Sequence, residues 1–275
     1  MVTQGGIGCV PEGKRKRYTM VMVVTNATSR FSSRVEDYLR FRPGYPREVI
    51  ELLAAECGLT PASVVADVAS GTGIFTRLLL ENGNRVFGVE PNREMRLAGE
   101  QFLQAYGRFT SVAGTAEATS LPAQSVDMIT AAQAAHWFDR NQARSEFVRI
   151  LKRGGWLVLL WNERKTARTA FLRDYERLLL AYGTDYREVR HERTTAEIAD
   201  FFAPLPFRCR TFETSQECDY PALEGRLLSS SYTPQSGDAN YESMLRELRK
   251  IFAAHQIDGH VVLEYDTRVF CGQLA

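Results

Sequence analysis

The sequence predicts an α/β fold: a doubly wound, mostly parallel seven-stranded sheet with helices on both faces and inserted helices covering a pocket. Three observations predict it. Apolar runs at Val64–Val68, Arg85–Glu90, Phe109–Ala113, Val126–Ala132 and Trp156–Trp161 alternate with segments of helical periodicity. The first run carries Asp67 near its end and yields to a small-residue turn, Ala69-Ser70-Gly71-Thr72-Gly73. The second run stops on an acid, Glu90. Strand, glycine loop, helix, strand, acid is the order that builds a pocket for a nucleoside-containing ligand at the carboxyl edge of a parallel sheet.

The elements follow in order. Residues 1–28 read as an appendage, in which Lys14-Arg15-Lys16-Arg17 precedes an apolar stretch that is short and poorly followed for a secretory signal. Phe31–Leu39 forms a short helix stopped by Pro43-Gly44-Tyr45-Pro46. From Pro46 to Cys57, Val49, Ile50, Leu52 and Leu53 share a helical face. The helices that link the strands are Phe75–Asn82, Arg93–Tyr106 and Gln142–Leu151, and Arg153-Gly154-Gly155 turns the last of them into its strand. Beyond Trp161 the pattern changes to helices at Ala167–Tyr182, Thr195–Phe202 and Glu242–His255, with strands at Phe207–Phe212 and Val261–Phe270 completing the sheet. Residues 29–275 are therefore read as one domain, with a ligand-binding half at about 46–162 and a covering, sheet-completing part at about 163–275.

Bulk properties narrow the function. Apolar residues make up 44% and charged residues 24%, which suits a soluble globular chain, and the net charge of +1 offers no field for nucleic acid or an anionic membrane. The five cysteines are odd in number and lack metal-ligand spacing, so a reducing, cytoplasmic setting is expected and neither a zinc site nor a disulfide framework is. His191, His255 and His260 are too scattered to bind a metal. No apolar run reaches the ~18 residues that span a bilayer.

Two cofactor classes fit the loop. A dinucleotide loop carries G-x-G-x-x-G, but here the third glycine is Thr76, and a carboxylate at Asp67 repels a pyrophosphate. Asp67 is instead suited to accept from a cationic amino group, directly or through water. The pattern D-x-A-x-G-x-G, with an acid closing the next strand, resembles the Rossmann-like S-adenosylmethionine-dependent methyltransferases, with Ala69 in place of their first glycine. The resemblance continues through Ala113–Pro122, Ser125-Val126-Asp127-Met128-Ile129 and Arg149–Leu157, where Arg153 replaces the usual proline. Ala132-Gln133-Ala134-Ala135-His136-Trp137-Phe138-Asp139 and Arg42-Pro43-Gly44-Tyr45-Pro46 resemble a narrower group, the type-11 enzymes similar to trans-aconitate methyltransferase.

Residue by residue, the resemblance implies that Asp67, Ala69, Gly71 and Gly73 border the methionine part of S-adenosylmethionine and that Glu90 holds both ribose hydroxyls. It sets Pro91, Asn92 and Met95 beside the adenine, Ala116 and Glu117 at its amino edge, and Gln133 near the sulfonium. Tyr38 and Arg42 close over the methionine carboxylate. His136 is the candidate base for a hydroxyl or carbon acceptor, since its ordinary pKa suits proton transfer at neutral pH. A carboxylate acceptor needs no base but needs cationic clamps, for which Arg30, Arg34 and Arg164 are available. A small-molecule acceptor is expected, with no metal. Nucleic-acid methylation is disfavoured because Gln133-Ala134-Ala135-His136 stands where base-methylating enzymes carry Asn/Asp-Pro-Pro-aromatic. A nicotinamide-dependent oxidoreductase and a non-catalytic S-adenosylmethionine-binding protein are the alternatives. Plainer roles stand beside these: Asp67 as a loop cap, His136 packing Trp137, and Ser229-Ser230-Ser231-Tyr232 either lining the substrate side or ending a helix.

Overall fold

In the computed structural model the described residues are 35–186 and 194–274. The predicted appendage, the start of the Phe31–Leu39 helix, Arg30, Arg34 and His191 lie outside them. The elements run α1 (Val35–Phe41), α2 (Glu48–Cys57), β1 (Val64–Val68), α3 (Ile74–Glu81), β2 (Arg85–Val89), α4 (Arg93–Phe102), β3 (Phe109–Val112), β4 (Val126–Ala132), α5 (Arg140–Ile150) and β5 (Leu151–Arg164). They continue with α6 (Ala170–Tyr182), α7 (Thr194–Phe202), β6 (Phe207–Cys218), α8 (Tyr220–Leu228), α9 (Tyr241–His255) and β7 (Val261–Gln273).

The seven strands form one sheet in the order β3-β2-β1-β4-β5-β7-β6. The first five pair in parallel, while β7 runs antiparallel to both β5 and β6. The sheet is thus mostly parallel, as expected. Strand order reverses direction at β1, between β2 and β4, which opens a crevice at the carboxyl ends of β1 and β4.

Alternation along the buried strands separates two cores. Val65, Val86, Met128, Val158 and Leu160 face Leu53 of α2 and Phe75 and Leu79 of α3. Ala66, Val68, Ile129, Leu157, Leu159 and Trp161 face Phe147 and Ile150 of α5 and Phe202 of α7. The strands are apolar on both faces because both are covered. A third cluster joins α6, α8 and α9 to the start of β7 through Leu172, Leu223, Leu248 and Leu263. Among the described residues no helix is long and apolar enough to cross a membrane.

Two junctions differ from expectation in ways that matter to the sheet, and one helix, α8, was not expected. The helix before β5 ends at Ile150, and Arg153-Gly154-Gly155 lie inside the strand, where Leu151 pairs with Val126 and the register shifts before Trp156 meets Met128. The glycines thus make a bulge, with Gly154 at φ 75°, rather than a helix end. β6 runs on to Cys218 because its polar residues Glu213, Ser215 and Glu217 sit on an edge strand paired to β7. The helix α8 is capped by the Asp219 carboxylate, which accepts from the Ala222 N–H, and carries Pro221 in its first turn. It packs on α1 at Gly225, where an added Cβ would come within 2.1 Å of the Phe41 ring. That close approach brings Arg42, just after α1, toward the end of α8, where the Arg42 Nη2 donates to the Ser229 carbonyl at 2.8 Å.

Candidate active site

The loop between β1 and α3 sets the site. Ala69, Gly71 and Gly73 have φ of 56°, 57° and 84°, so three alternate residues take the left-handed conformation. Alanine tolerates it at a cost of about 1 kcal/mol, which glycine would avoid. The Ser70 carbonyl accepts from the Gly73 N–H at 2.9 Å and closes the turn.

Asp67 and Glu90 flank this loop. Asp67 is 1% exposed, and its two oxygens accept from the Thr76 hydroxyl at 2.6 Å and the Thr130 hydroxyl at 2.7 Å. Burial pushes its pKa up to about 6, against the pull of both hydroxyls. Glu90 accepts from the Gly71 N–H at 2.9 Å with one oxygen and from the Asn92 N–H at 2.8 Å with the other. Burial raises its pKa as well, opposed by those two N–H groups and by Arg96. Each Glu90 oxygen keeps capacity for one further donor.

Two chambers meet at this loop. The first is lined by Glu90, Pro91, Asn92, Met95, Ala116 and Glu117. The second, of about 420 Å³, is lined by Arg42, Asp67, Tyr45, Asn162, Arg164 and Arg226 among others. Tyr38, Ala69, Gly71, Ala132 and Gln133 line both. Gln133 is also left-handed, with φ 58°, so the two non-glycine residues strained in this way at the crevice stand on the shared wall. The Gln133 Nε2 donates to the Asn162 carbonyl at 3.2 Å.

Of the cofactor-binding and catalytic candidates read from sequence, all among the described residues, each lines one chamber or both except Gly73 and His136. Gly73 turns away behind the loop, where a Cβ would come within 2.6 Å of the Leu103 side chain. His136 lies in a short 3-10 turn, Ala135–Trp137, with its ring 4.8 Å from that of Trp137. Asn92 has a local task too, since its side chain accepts from the Met95 N–H as the cap of α4.

The second chamber is rich in arginine and tyrosine. Arg42 lies over the Tyr38 ring at 4.7 Å, and burial, then the charge of Arg226, lower its pKa. Arg164 pairs with Glu176 at 2.6 Å and donates to the Tyr186 hydroxyl at 3.0 Å. Arg226 donates from Nε to the Tyr265 hydroxyl at 3.3 Å and from Nη1 to the Ser230 hydroxyl at 3.1 Å. Tyr232 also lines this chamber, so the Ser229–Tyr232 segment both ends α8 and faces the cavity. Arg226, Tyr186 and Tyr265 went unread in the sequence because their only local signal is an arginine or tyrosine on an apolar helix or strand face. Among the described residues no group of three or more His, Cys, Asp and Glu side chains could hold a metal ion.

These residues fit S-adenosylmethionine. Acids stand on both sides of a tight loop, and the acid after β2 retains unused acceptor capacity in a crevice at the sheet's reversal point. Comparison with known proteins agrees. Residues 66–159 match the family described as "Methyltransferase domain". An uncharacterized methyltransferase of Mycobacterium tuberculosis is 36% identical over 225 residues, covering 82% of this chain and 86% of that one. An uncharacterized methyltransferase-like protein of Schizosaccharomyces pombe is 32% identical over 135 residues, covering 49% and 52%. A solved structure of a candidate type II methyltransferase from Anaeromyxobacter dehalogenans shares the fold, with a TM-score of 0.63, 22% identity, and coverage of 85% of this chain and 98% of that one.

The fold and crevice define a Rossmann-like methyltransferase. The chain belongs to the methyltransferase family, and it is an S-adenosylmethionine-dependent enzyme. Neither the nicotinamide-dependent oxidoreductase nor the non-catalytic alternative finds support in these relatives.

Proposed function

We propose that the enzyme methylates a small molecule held in the second chamber. The observation that carries this reading is the wall shared by the two chambers, through which one elongated ligand can lie with its reactive end facing an acceptor. In this reading Glu90 accepts the ribose hydroxyls with the capacity its N–H partners leave. Pro91, Asn92 and Met95 flank the adenine, and Ala116 and Glu117 lie at its amino edge. Asp67, Ala69 and Gly71 border the methionine part, with Asp67 on the side of the amino group, and Tyr38 and Arg42 close over the carboxylate. The residues of 163–275, α6 and α8 in particular, cover the acceptor, and 29–275 acts as one methyltransferase domain in the cytoplasm, without nucleic acid. The motifs around His136 and Arg42 relate it to the type-11, trans-aconitate-methyltransferase-like group.

When bound, S-adenosylmethionine supplies an electrophilic methyl group on a sulfonium whose leaving group departs neutral. The chain therefore needs no acid; it must align the acceptor and exclude water. Gln133, fixed by its backbone N–H to the Leu160 carbonyl at 2.9 Å, is the residue of the shared wall suited to that alignment. His136, in the 3-10 turn whose Trp137 lines the first chamber, is the candidate base where the acceptor is a hydroxyl or a carbon acid.

Calorimetry with S-adenosylhomocysteine and NADH, followed by a labelled-methyl screen of small carboxylic acids, phenols and nucleic acid, tests the proposal. Binding of the first ligand alone and label in a small molecule are expected. Label found only in nucleic acid would sink the reading.

A further inference from the structure

We infer that Asn162 is a positioning residue: its side chain fixes the segment Arg42-Pro43-Gly44-Tyr45, and through Arg42 the methionine end of the cofactor, while its main chain fixes Gln133. This goes beyond the proposed function and rests on its placing of the cofactor.

Asn162 stands near the end of β5, 6% exposed, on the wall of the second chamber. Its Nδ2 donates to the Gly44 carbonyl at 2.9 Å, and its Oδ1 accepts from the Thr267 hydroxyl at 2.6 Å. A carbonyl can only accept, so the amide nitrogen must face Gly44 and the amide oxygen is left for Thr267. Thr267 is fully buried and lies opposite Asn162 in the β5–β7 pairing, so the amide is oriented from within the sheet. The main-chain carbonyl of Asn162 accepts from Gln133 Nε2. The residue therefore ties β5 to β7, to the turn after β4 and to the segment between α1 and α2.

That segment needs a tether. Pro43 and Pro46 stiffen it, since each ring fixes φ and neither residue has an N–H to donate. Gly44 is not held by packing, because an added Cβ there would meet nothing within 4 Å. Two other ties sit at the α1 end: Gln216 Nε2 donates to the Phe41 carbonyl at 2.9 Å, and Arg42 Nη2 to the Ser229 carbonyl. The bond from Asn162 holds the far end, between Arg42 and Tyr45, which both line the chamber. A stiff segment released there shifts as a unit and carries Arg42 away from the loop after β1. The effect is selective, because Glu90, Asn92 and Met95 lie in the first chamber, which Asn162 does not line.

The test is calorimetry on the whole protein with S-adenosylhomocysteine and its decarboxylated analogue, which keeps the adenosine and the amino group. Asn162→Leu keeps the volume and removes both side-chain hydrogen bonds. It should weaken S-adenosylhomocysteine about tenfold and the analogue by no more than about twofold. Thr267→Val leaves Asn162 in place but withdraws the hydroxyl that orients it, and should weaken S-adenosylhomocysteine alone by about threefold. Thr267→Ser keeps the hydroxyl and should bind as the unaltered protein does. The Thr267 variants carry the test where Asn162→Leu does not fold. Equal losses for both ligands would make Asn162 a support of the fold only and overturn the inference. Undiminished affinity for both, or a loss in Thr267→Ser equal to that in Thr267→Val, would overturn it too, as would equal affinity of the unaltered protein for the acid and its decarboxylated analogue. Failure of S-adenosylhomocysteine to bind the unaltered protein is separately visible and strikes the proposed function.

Discussion

The Thr76 hydroxyl donates to Asp67 Oδ2 across 2.6 Å, from the position where a dinucleotide loop carries its third glycine. The departure that spoke against a dinucleotide in the sequence thus has a structural use. With Thr130, which lies beside Asp67 in the β1–β4 register, it supplies one donor for each carboxylate oxygen. Replacing Thr76 with the near-isosteric valine leaves a buried acceptor short of a partner. Thr76→Val should cost about 1–3 kcal/mol, read as a lower urea midpoint at unchanged slope.

The raised pKa of Asp67 makes stability fall with pH. Its folded value is about 6, against an ordinary value of 3.8. Between these, the unfolded chain releases its proton before the native state does. The contribution is full below the unfolded value and is lost as pH rises through the folded one, by roughly 3 kcal/mol. Unfolding midpoints measured from pH 4 to pH 7 should show this decline, and Asp67→Asn should flatten it. A cationic amino group beside the carboxylate favours the ionised form, so S-adenosylhomocysteine affinity should rise as pH passes about 6 and level off above it.

The cofactor half was legible because its signals are local. β1 and β4 were read to the residue, since each is a continuous apolar run and β1 is closed by the small-residue loop after Val68. The acceptor chamber was legible only in part, through Arg42, Arg164 and Tyr232, because it is assembled across long separations. Arg42, Arg164 and Arg226 come from three elements and meet only through the packing of α1 on α8 and the antiparallel pairing of β5 with β7. β6 was read short because, along an edge strand, alternation of polar outward residues hides the apolar pattern.

Glu90 joins the loop to the proposed ribose site, so its removal should act on both. Glu90→Ala deletes the acceptor for the Gly71 and Asn92 N–H groups as well as that for the cofactor. S-adenosylhomocysteine binding should weaken about 100-fold, near 3 kcal/mol for two hydrogen bonds to a carboxylate. Glu90→Gln retains one acceptor oxygen and should fall between. Calorimetric affinities unchanged in both variants would remove Glu90 from the site.

Glu176 of α6 neutralises Arg164, while Arg268, which also lines the chamber, is paired with Glu163. The Arg164–Glu176 pair is 10% exposed on each side, and the Tyr186 hydroxyl also donates to Glu176 at 2.7 Å. Glu176→Gln keeps an acceptor for both donors but withdraws the charge, leaving Arg164 buried without its counter-ion. Such a break should cost about 3 kcal/mol of stability, seen in denaturant unfolding. An unfolding midpoint equal to that of the unaltered protein would mean that Glu176 does not hold the charge of Arg164.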